Sequence, residues 1–241
     1  MSNDIVNDNL NVRKYIQKVI IWIFSKENYE KEYKDEKERF ENTMKVTSIC
    51  RYNASVRLKW ESKIAFITTT LLSLGLIFIP LIQIAKIPLV FSSDIFSVVQ
   101  IFLAISVLVY STIIANSKYD LRSDQLKDCG DKIKSLIRKL RLSNNDENLI
   151  NEIKEKYDYI ATSVENHDRN DYLLTMLRTK ELYKITGIIR IFLWFKYFFL
   201  AAIFNMAPFI LLSIEIIFIL DMFNITRIFT PYLLGEYVKG I

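Results

Sequence analysis

Two runs without a charged side chain, IAFITTTLLSLGLIFIPLIQIA (Ile64–Ala85) and IFSVVQIFLAISVLVYSTIIA (Ile95–Ala115), decide the fold. A short break, Lys86–Asp94 with Pro88 inside it, separates them. About 21 residues rising 1.5 Å each as a helix cover about 31 Å, the thickness of a bilayer's hydrocarbon core. The pattern predicts a transmembrane helical hairpin. The competing reading is a pair of helices buried in a soluble bundle, but soluble core helices rarely run this far without a charge.

Outside the hairpin the composition changes. The 241 residues are 51% hydrophobic yet 24% charged, so apolar blocks alternate with charge-rich ones. Five Gly and four Pro are few for a strand-and-turn architecture and favour helices. The net charge of +5 is spread over helices of mixed sign, with no segregated basic face. Sequence-specific nucleic-acid binding is therefore not expected.

The basic residues orient the hairpin. Residues 1–63 hold 13 Lys or Arg and residues 116–190 hold 15, whereas the hairpin loop holds only Lys86. By the positive-inside rule both flanks are cytoplasmic and the loop faces out. Cys50 and Cys129 then fall in a reducing compartment, where a disulfide is not expected. Without CxxC spacing and with a single His, no metal site is expected either, and no cofactor. No signal peptide precedes the hairpin, because the first 60 residues are largely polar.

The N-terminal cytoplasmic helices are assigned to residues 1–43. Met1–Asn11 is polar and read as disordered. Tyr15, Ile16, Val19, Ile20 and Ile23 follow at helical spacing with Trp22, as a helix lying in the membrane interface or docking on the cytoplasmic domain. Lys26–Glu41, dense in Lys and Glu with i,i+4 pairs, reads as a solvated helix. A juxtamembrane helix, 44–63, leads into the membrane. Its juxtamembrane basic residues are Arg51, Arg57, Lys59 and Lys63: Arg57, Lys59 and Lys63 mark the cytoplasmic boundary with Trp60, and Arg51 and Arg57 are candidates to contact lipid or nucleotide phosphate.

The cytoplasmic domain, 116–190, shows two apolar seams. Leu126, Cys129, Ile133, Leu136 and Leu140 keep a 3,4 spacing, and Ile150, Ile153, Tyr157, Ile160 and Val164 follow after the turn Ser143–Asp146. This predicts an antiparallel, coiled-coil-like helical hairpin. The seam is narrow and needs further apolar partners, from the N-terminal helices or from another subunit. Leu126, Ile133, Leu136, Leu140, Ile153, Tyr157 and Ile160 are therefore candidates for assembly. His167, the one histidine, lies beside Glu165, Asp168 and Asp171. It reads as part of a capping turn for the next helix, with a catalytic base or pH sensor as the alternative.

Residues 191–220 form a third apolar stretch, read as a third transmembrane helix that Pro208 kinks, with 221–241 as a tail outside; a helix that lies on the membrane or re-enters it is the alternative. Lys196 and Glu215, roughly 28 Å apart along a helix, are expected to snorkel to opposite interfaces. Within the hairpin a small or polar stripe runs through Ser93, Ser97, Gln100, Ala104 and Ser111, matched by Thr69 and Ser73 near Gly75. Such stripes pack helices together or line a water path in an assembly. No phosphate-cradling loop, metalloprotease motif or nucleophile constellation occurs, so no catalytic residue is assigned.

The run Arg51-Tyr52-Asn53-Ala54-Ser55-Val56-Arg57-Leu58 before the hairpin, Tyr119, Leu121 and Leu126–Cys129 after it, then Tyr157, Glu165-Asn166-His167 and Asp171-Tyr172, occur in an order that resembles the SLATT family. These are two-transmembrane effector domains associated with SMODS nucleotide-synthase and SLOG genes, and the subfamily with an Asn-His and Asp-Tyr signature is the most similar. The resemblance covers Lys45 to Tyr172. It implies an anti-phage membrane effector that perforates the inner membrane; because one hairpin cannot enclose a water path, a homo-oligomer is then expected. The trigger it implies is an operon partner, a nucleotide synthase with its nucleotide signal or a reverse transcriptase. The family has no established catalytic residues to carry over. Two alternatives from the residues stay open: a non-conducting scaffold for a cytoplasmic enzyme, and a hydrolase using His167.

Overall fold

A computed structural model describes residues 15–23, 28–30, 32–144 and 146–234. The order of elements is α1 (15–23), β1 (Asn28–Glu30), α2 (Glu36–Ile84), α3 (Ser93–Ser117), α4 (Tyr119–Arg141), α5 (Glu147–Thr162), α6 (Arg169–Arg178), β2 (Tyr183–Ile185), α7 (Gly187–Phe204), α8 (Met206–Met222) and α9 (Thr230–Leu233). The polar start, read as disordered, lies outside the described residues. The chain forms two compact units, Met1–Val56 with Asp124–Ala202, and Arg57–Ser123 with Ile203–Ile241. Helix α2, 49 residues long, supplies its first part to one unit and its second part to the other.

The first unit is built on a bundle of α2, α4 and α5. Cys129, Ile133, Leu136, Ile137 and Leu140 of α4 pack with Ile153 of α5 and Met44 of α2, joined by Phe40, Tyr157 and Ile160. Each fully buried Leu or Ile here contributes about 1.5–3 kcal/mol by leaving water. The α4–α5 hairpin matches the spacing in the sequence. Its third wall is the chain's own α2, so the seam proposed for assembly is consumed within one protomer.

Asn144 takes the left-handed backbone at the turn (φ 43°), and Asp146 caps α5 by accepting from the backbone N–H of Asn148 and Leu149. A second small core collects Leu182, Tyr183 and Ile185 around β2 with Val46, Met176, Ile189 and Leu193.

Lys26–Glu41 is not one helix. Asn28–Glu30 pairs antiparallel with Tyr183–Ile185, Tyr29 opposite Lys184, and α2 begins only at Glu36. A backbone pairing of three residues carries no periodicity long enough to see in sequence.

In the second unit the buried face of α2 runs through Leu58, Ala65, Thr68, Leu72, Gly75 and Ile79, a 3,4,7 spacing. Helix α3 buries Phe96 and Leu103, and α8 buries Phe218 and Met222 in the same core. Phe91 of the hairpin loop stacks on Phe218 at 5.3 Å, and Phe96 meets both rings edge-on at 6.1 Å. The opposite sides of α2 and α3 expose Phe66, Ile67, Leu74, Ile77, Ile101, Ile105 and Leu108. Two helices, α2 and the helix that opens at Ser93, are long and apolar enough to cross a membrane. Unpartnered apolar surface on that scale identifies an all-α membrane protein.

The third apolar stretch is broken. α7 ends at Phe204, Asn205 leaves the helical conformation (ψ 9°), and α8 starts at Met206. Pro208 therefore sits in the first turn of α8, where its missing N–H costs nothing, instead of kinking a continuous helix. The two helices are long and apolar enough only when taken together, as a broken span or a re-entrant loop. Residues 223–234 turn back onto the unit. Asp221, fully buried, accepts from the backbone N–H groups of Ile228 (3.1 Å), Phe229 (2.5 Å) and Thr230 (3.0 Å) and from the Thr226 hydroxyl (2.5 Å). One carboxylate thus folds the chain back after α8 and places Phe229 on the core of the unit.

Candidate functional site

Two groups of polar side chains stand out, one in each unit. In the membrane unit most hydroxyls of the expected stripe are satisfied locally. Thr69 donates to the Ala65 carbonyl (2.9 Å), Ser73 to Thr69 (2.8 Å), Ser97 to Ser93 (3.0 Å) and Ser111 to Leu108 (2.9 Å). Such back-bonding lets a hydroxyl sit in apolar surroundings without a partner helix.

Gln100 alone of the stripe reaches across to another helix. Its Nε2 donates to Oε1 of Gln83 on α2 at 3.0 Å. Ser93, Ser97 and Ala104 are exposed, one position off the α3 face that carries Phe96 and Leu103. The chain's own packing leaves the stripe largely uncovered. On α2, Thr68 is the buried hydroxyl (1% exposed), while Thr69 and Ser73 lie at the edge. Sequence reasoning missed Thr68 and Gln83. Their spacing from Leu72 and Ile79 would have found Thr68; Gln83 is a polar interruption one turn before the loop.

Glu215 does not snorkel. It is 4% exposed, on the face of α8 that meets Gly75 of α2. A length argument places a side chain along a helix but not around it.

In the helical unit several of the residues that carried the family resemblance come together, while Arg57, Leu58, Tyr119 and Leu121 belong to the membrane unit. Arg51 is 3% exposed, and its guanidinium donates to the Ala161 carbonyl (3.0 Å) in the last turn of α5 and to the Glu165 carbonyl in the segment after it. Asn53 donates to Thr175 Oγ1 (2.9 Å), whose own proton goes to the Asp171 carbonyl (2.9 Å), so the Cys50 thiol, 3.2 Å away, is the donor to Thr175. Tyr52 donates to Asp131 (2.5 Å) beneath the Lys134 ammonium, 4.1 Å from the ring centre. Asp168 and Asp171 form a reciprocal capping box at the start of α6. His167 packs its ring near Tyr172, and Nδ1 is buried with no hydrogen-bond partner among the described residues.

Burial pushes the thiols of Cys50 and Cys129 up, away from the thiolate a nucleophile needs. Both cysteines are free and buried. Burial, and then the Arg51 charge, hold His167 below its ordinary value, so it stays neutral. Burial together with the Asp131 contact pushes the Tyr52 phenol up and keeps it a donor. No group of three or more His, Cys, Asp or Glu able to hold a metal occurs among the described residues.

Arg51 does not belong with the juxtamembrane basic residues. It ties α2 to the end of α5 and presents no free face to a phosphate. Arg57 pairs with Glu61 at 3.0 Å, whereas Lys59 and Lys63 are exposed. Of the assembly seam, Leu126, Ile133, Leu136, Leu140 and Ile153 are buried in the protomer, with Tyr157 and Ile160 packed against them.

No curated protein and no solved structure matches the chain. The sequence model of the SMODS and SLOG-associating 2TM effector domain family 5 matches residues 33–219, which span α2 through α8 almost to its end and include both the helical cluster and the membrane hairpin. The chain belongs to the SLATT family of two-transmembrane effectors associated with defence systems.

Proposed function

We propose that this protein is a pore-forming effector of a prokaryotic anti-phage system, residing in the inner membrane with its N-terminus and residues 116–190 in the cytoplasm. Several copies assemble through their membrane units when an operon partner signals, and the resulting leak arrests growth. The observation that supports this reading is the uncovered stripe on α3. Ser93, Ser97 and Ala104 face away from the chain's own core on a helix otherwise suited to lipid. One hairpin cannot enclose water, but a ring of hairpins presenting this face inward can.

The helical bundle of α2, α4 and α5 serves as the responsive part. Its seam is filled, so any partner acts on its outer surface or through the buried cluster around Arg51, not by completing the core. No residue is assigned to catalysis, and the family is named for an effector rather than an enzyme.

The test is membrane potential in cells that carry the protein with its neighbouring genes, before and after phage challenge. A Ser97→Cys variant is treated with a membrane-impermeant thiol reagent. Depolarisation on challenge that the reagent blocks in the variant and not in the wild type is the expected result. Growth arrest with the potential preserved discards the pore and favours a membrane scaffold for a partner enzyme.

A further inference from the structure

Glu215 is the only charged residue between Met206 and Leu220. It is 4% exposed, and its Oε1 is shut off from solvent with no hydrogen-bond partner among the described residues. Its seat is made by Gly75. A Cβ added there would stand 2.7 Å from the Glu215 carboxyl carbon and collide with Oε1. Leu72 and Ile79, both fully buried, lie one turn to either side of Gly75. Beside the acid is a cavity of about 260 Å³ whose other lining residues are apolar, among them Val99, Leu103, Phe218 and Phe229.

Among the described residues, none of the elements packed here brings a counter-charge. α2 has no charged residue between Lys63 and Lys86, and α3 has none between Asp94 and Lys118. On α8 the next acid, Asp221, is engaged by the backbone of residues 228–230. In the segment that folds back, Arg227 is bonded to Asn224 at 3.0 Å. An ionised carboxylate left unpaired in such surroundings costs several kcal/mol, and buried acids escape the cost by holding their proton.

We propose that Glu215 is a proton-binding site inside the membrane unit, and that α8 seats on Gly75 of α2 only while that proton is bound. The neutral acid fits the apolar seat and the anion does not. When α8 lifts from α2 and water enters, the carboxyl gives its proton to water and becomes a fixed negative charge. On the pore reading, on which this last step alone rests, that charge makes the open state favour cations over anions.

Dicyclohexylcarbodiimide tests the proposal on the full-length protein in native membranes. The reagent adds the protonated carboxyl O–H across one C=N bond, and the acyl group then moves from oxygen to nitrogen, with no atom lost. Mass spectrometry should find the adduct at Glu215 at neutral pH, undiminished by high sodium or potassium, and absent from Glu215→Gln. In Gly75→Ala, which evicts the carboxyl from its seat, labelling should fall severalfold.

Glu215→Gln, the neutral isostere, should insert normally and unfold in detergent at the wild-type temperature. An unlabelled Glu215 at neutral pH in the inserted protein overturns the proposal. Protection by alkali cations overturns it in favour of a metal-cation site. Labelling in a protein that never conducts upholds the proton site and discards only the pore.

Discussion

The side-chain amides of Gln83 and Gln100 meet at 3.0 Å, seventeen positions apart, and join α2 to α3 below the hairpin loop. Polar contacts between membrane helices contribute about 0.6 kcal/mol on average and up to about 1–2 kcal/mol.

Breaking this pair should cost more than removing it. Gln100→Leu leaves the Gln83 amide without its partner, whereas Gln83→Leu with Gln100→Leu removes both polar groups. We expect the single variant to lose about 1 kcal/mol of stability in detergent and the double variant to recover part of it. The double-mutant cycle, read from unfolding of the solubilised protein, measures the coupling directly. Equal losses in both variants would show that the amides do not act as a pair.

Arg51 is the fastening of the helical unit. Its donors satisfy the Ala161 and Glu165 carbonyls, which close the last turn of α5 and the segment after it. Hydrogen bonds from a charged donor contribute about 1.5–3 kcal/mol each. Arg51→Ala should therefore destabilise the protein by about 3 kcal/mol or more, and Arg51→Lys, which cannot fork to two carbonyls, should recover only a fraction. Exposed Lys59→Ala is the control and should shift stability by less than about 0.5 kcal/mol. Thermal unfolding of the detergent-solubilised chain is the measurement.

Ile133 separates a folding seam from an assembly seam. Its side chain is fully buried among Met44, Leu140 and Ile153 within one protomer. Ile133→Ala should cost about 2–5 kcal/mol through the cavity it leaves. The folded fraction should keep the wild-type oligomeric state. A fully stable variant with a changed oligomer size, by light scattering with the detergent contribution removed, would return the seam to assembly.

Much of this was legible in the sequence because it rests on long periods. The membrane helices follow from charge-free length, and the α4–α5 hairpin from the 3,4 spacing of Leu126 through Leu140. The motif residues were visible as a set, but nothing in their types showed that Arg51 turns inward to carbonyls more than 100 positions away. Arginine near an apolar run reads as a boundary marker until the partner is known. Lys59 and Lys63, on the same helix, remain outside.

Glu215 was misplaced for a related reason. The helix rise fixes how far it lies along α8, while its burial depends on a glycine in a different helix. The β1–β2 pair and the break at Asn205 are set by tertiary contacts that leave no local pattern.

His167 gives the helical unit a defined response to acid. Burial first, and then the Arg51 charge, lower its pKa from the ordinary 6.5, while Asp171 and Asp168 pull the other way. The folded state therefore holds a neutral imidazole. The unfolded chain takes up a proton there as pH falls through about 6.5, so it binds more protons than the native state and gains stability relative to it.

The contribution is intact above that pH and is lost progressively below it, toward the lower folded value. His167→Gln, neutral at every pH, should flatten this part of the stability profile, leaving only the slope from carboxylates. Arg51→Met should move the folded His167 pKa back upward and shrink the slope, besides its own cost. Chemical denaturation of the solubilised protein across the acid range, wild type against His167→Gln, is the decisive comparison. Parallel profiles would mean that the imidazole titrates alike in both states and is not shielded as its buried Nδ1 requires.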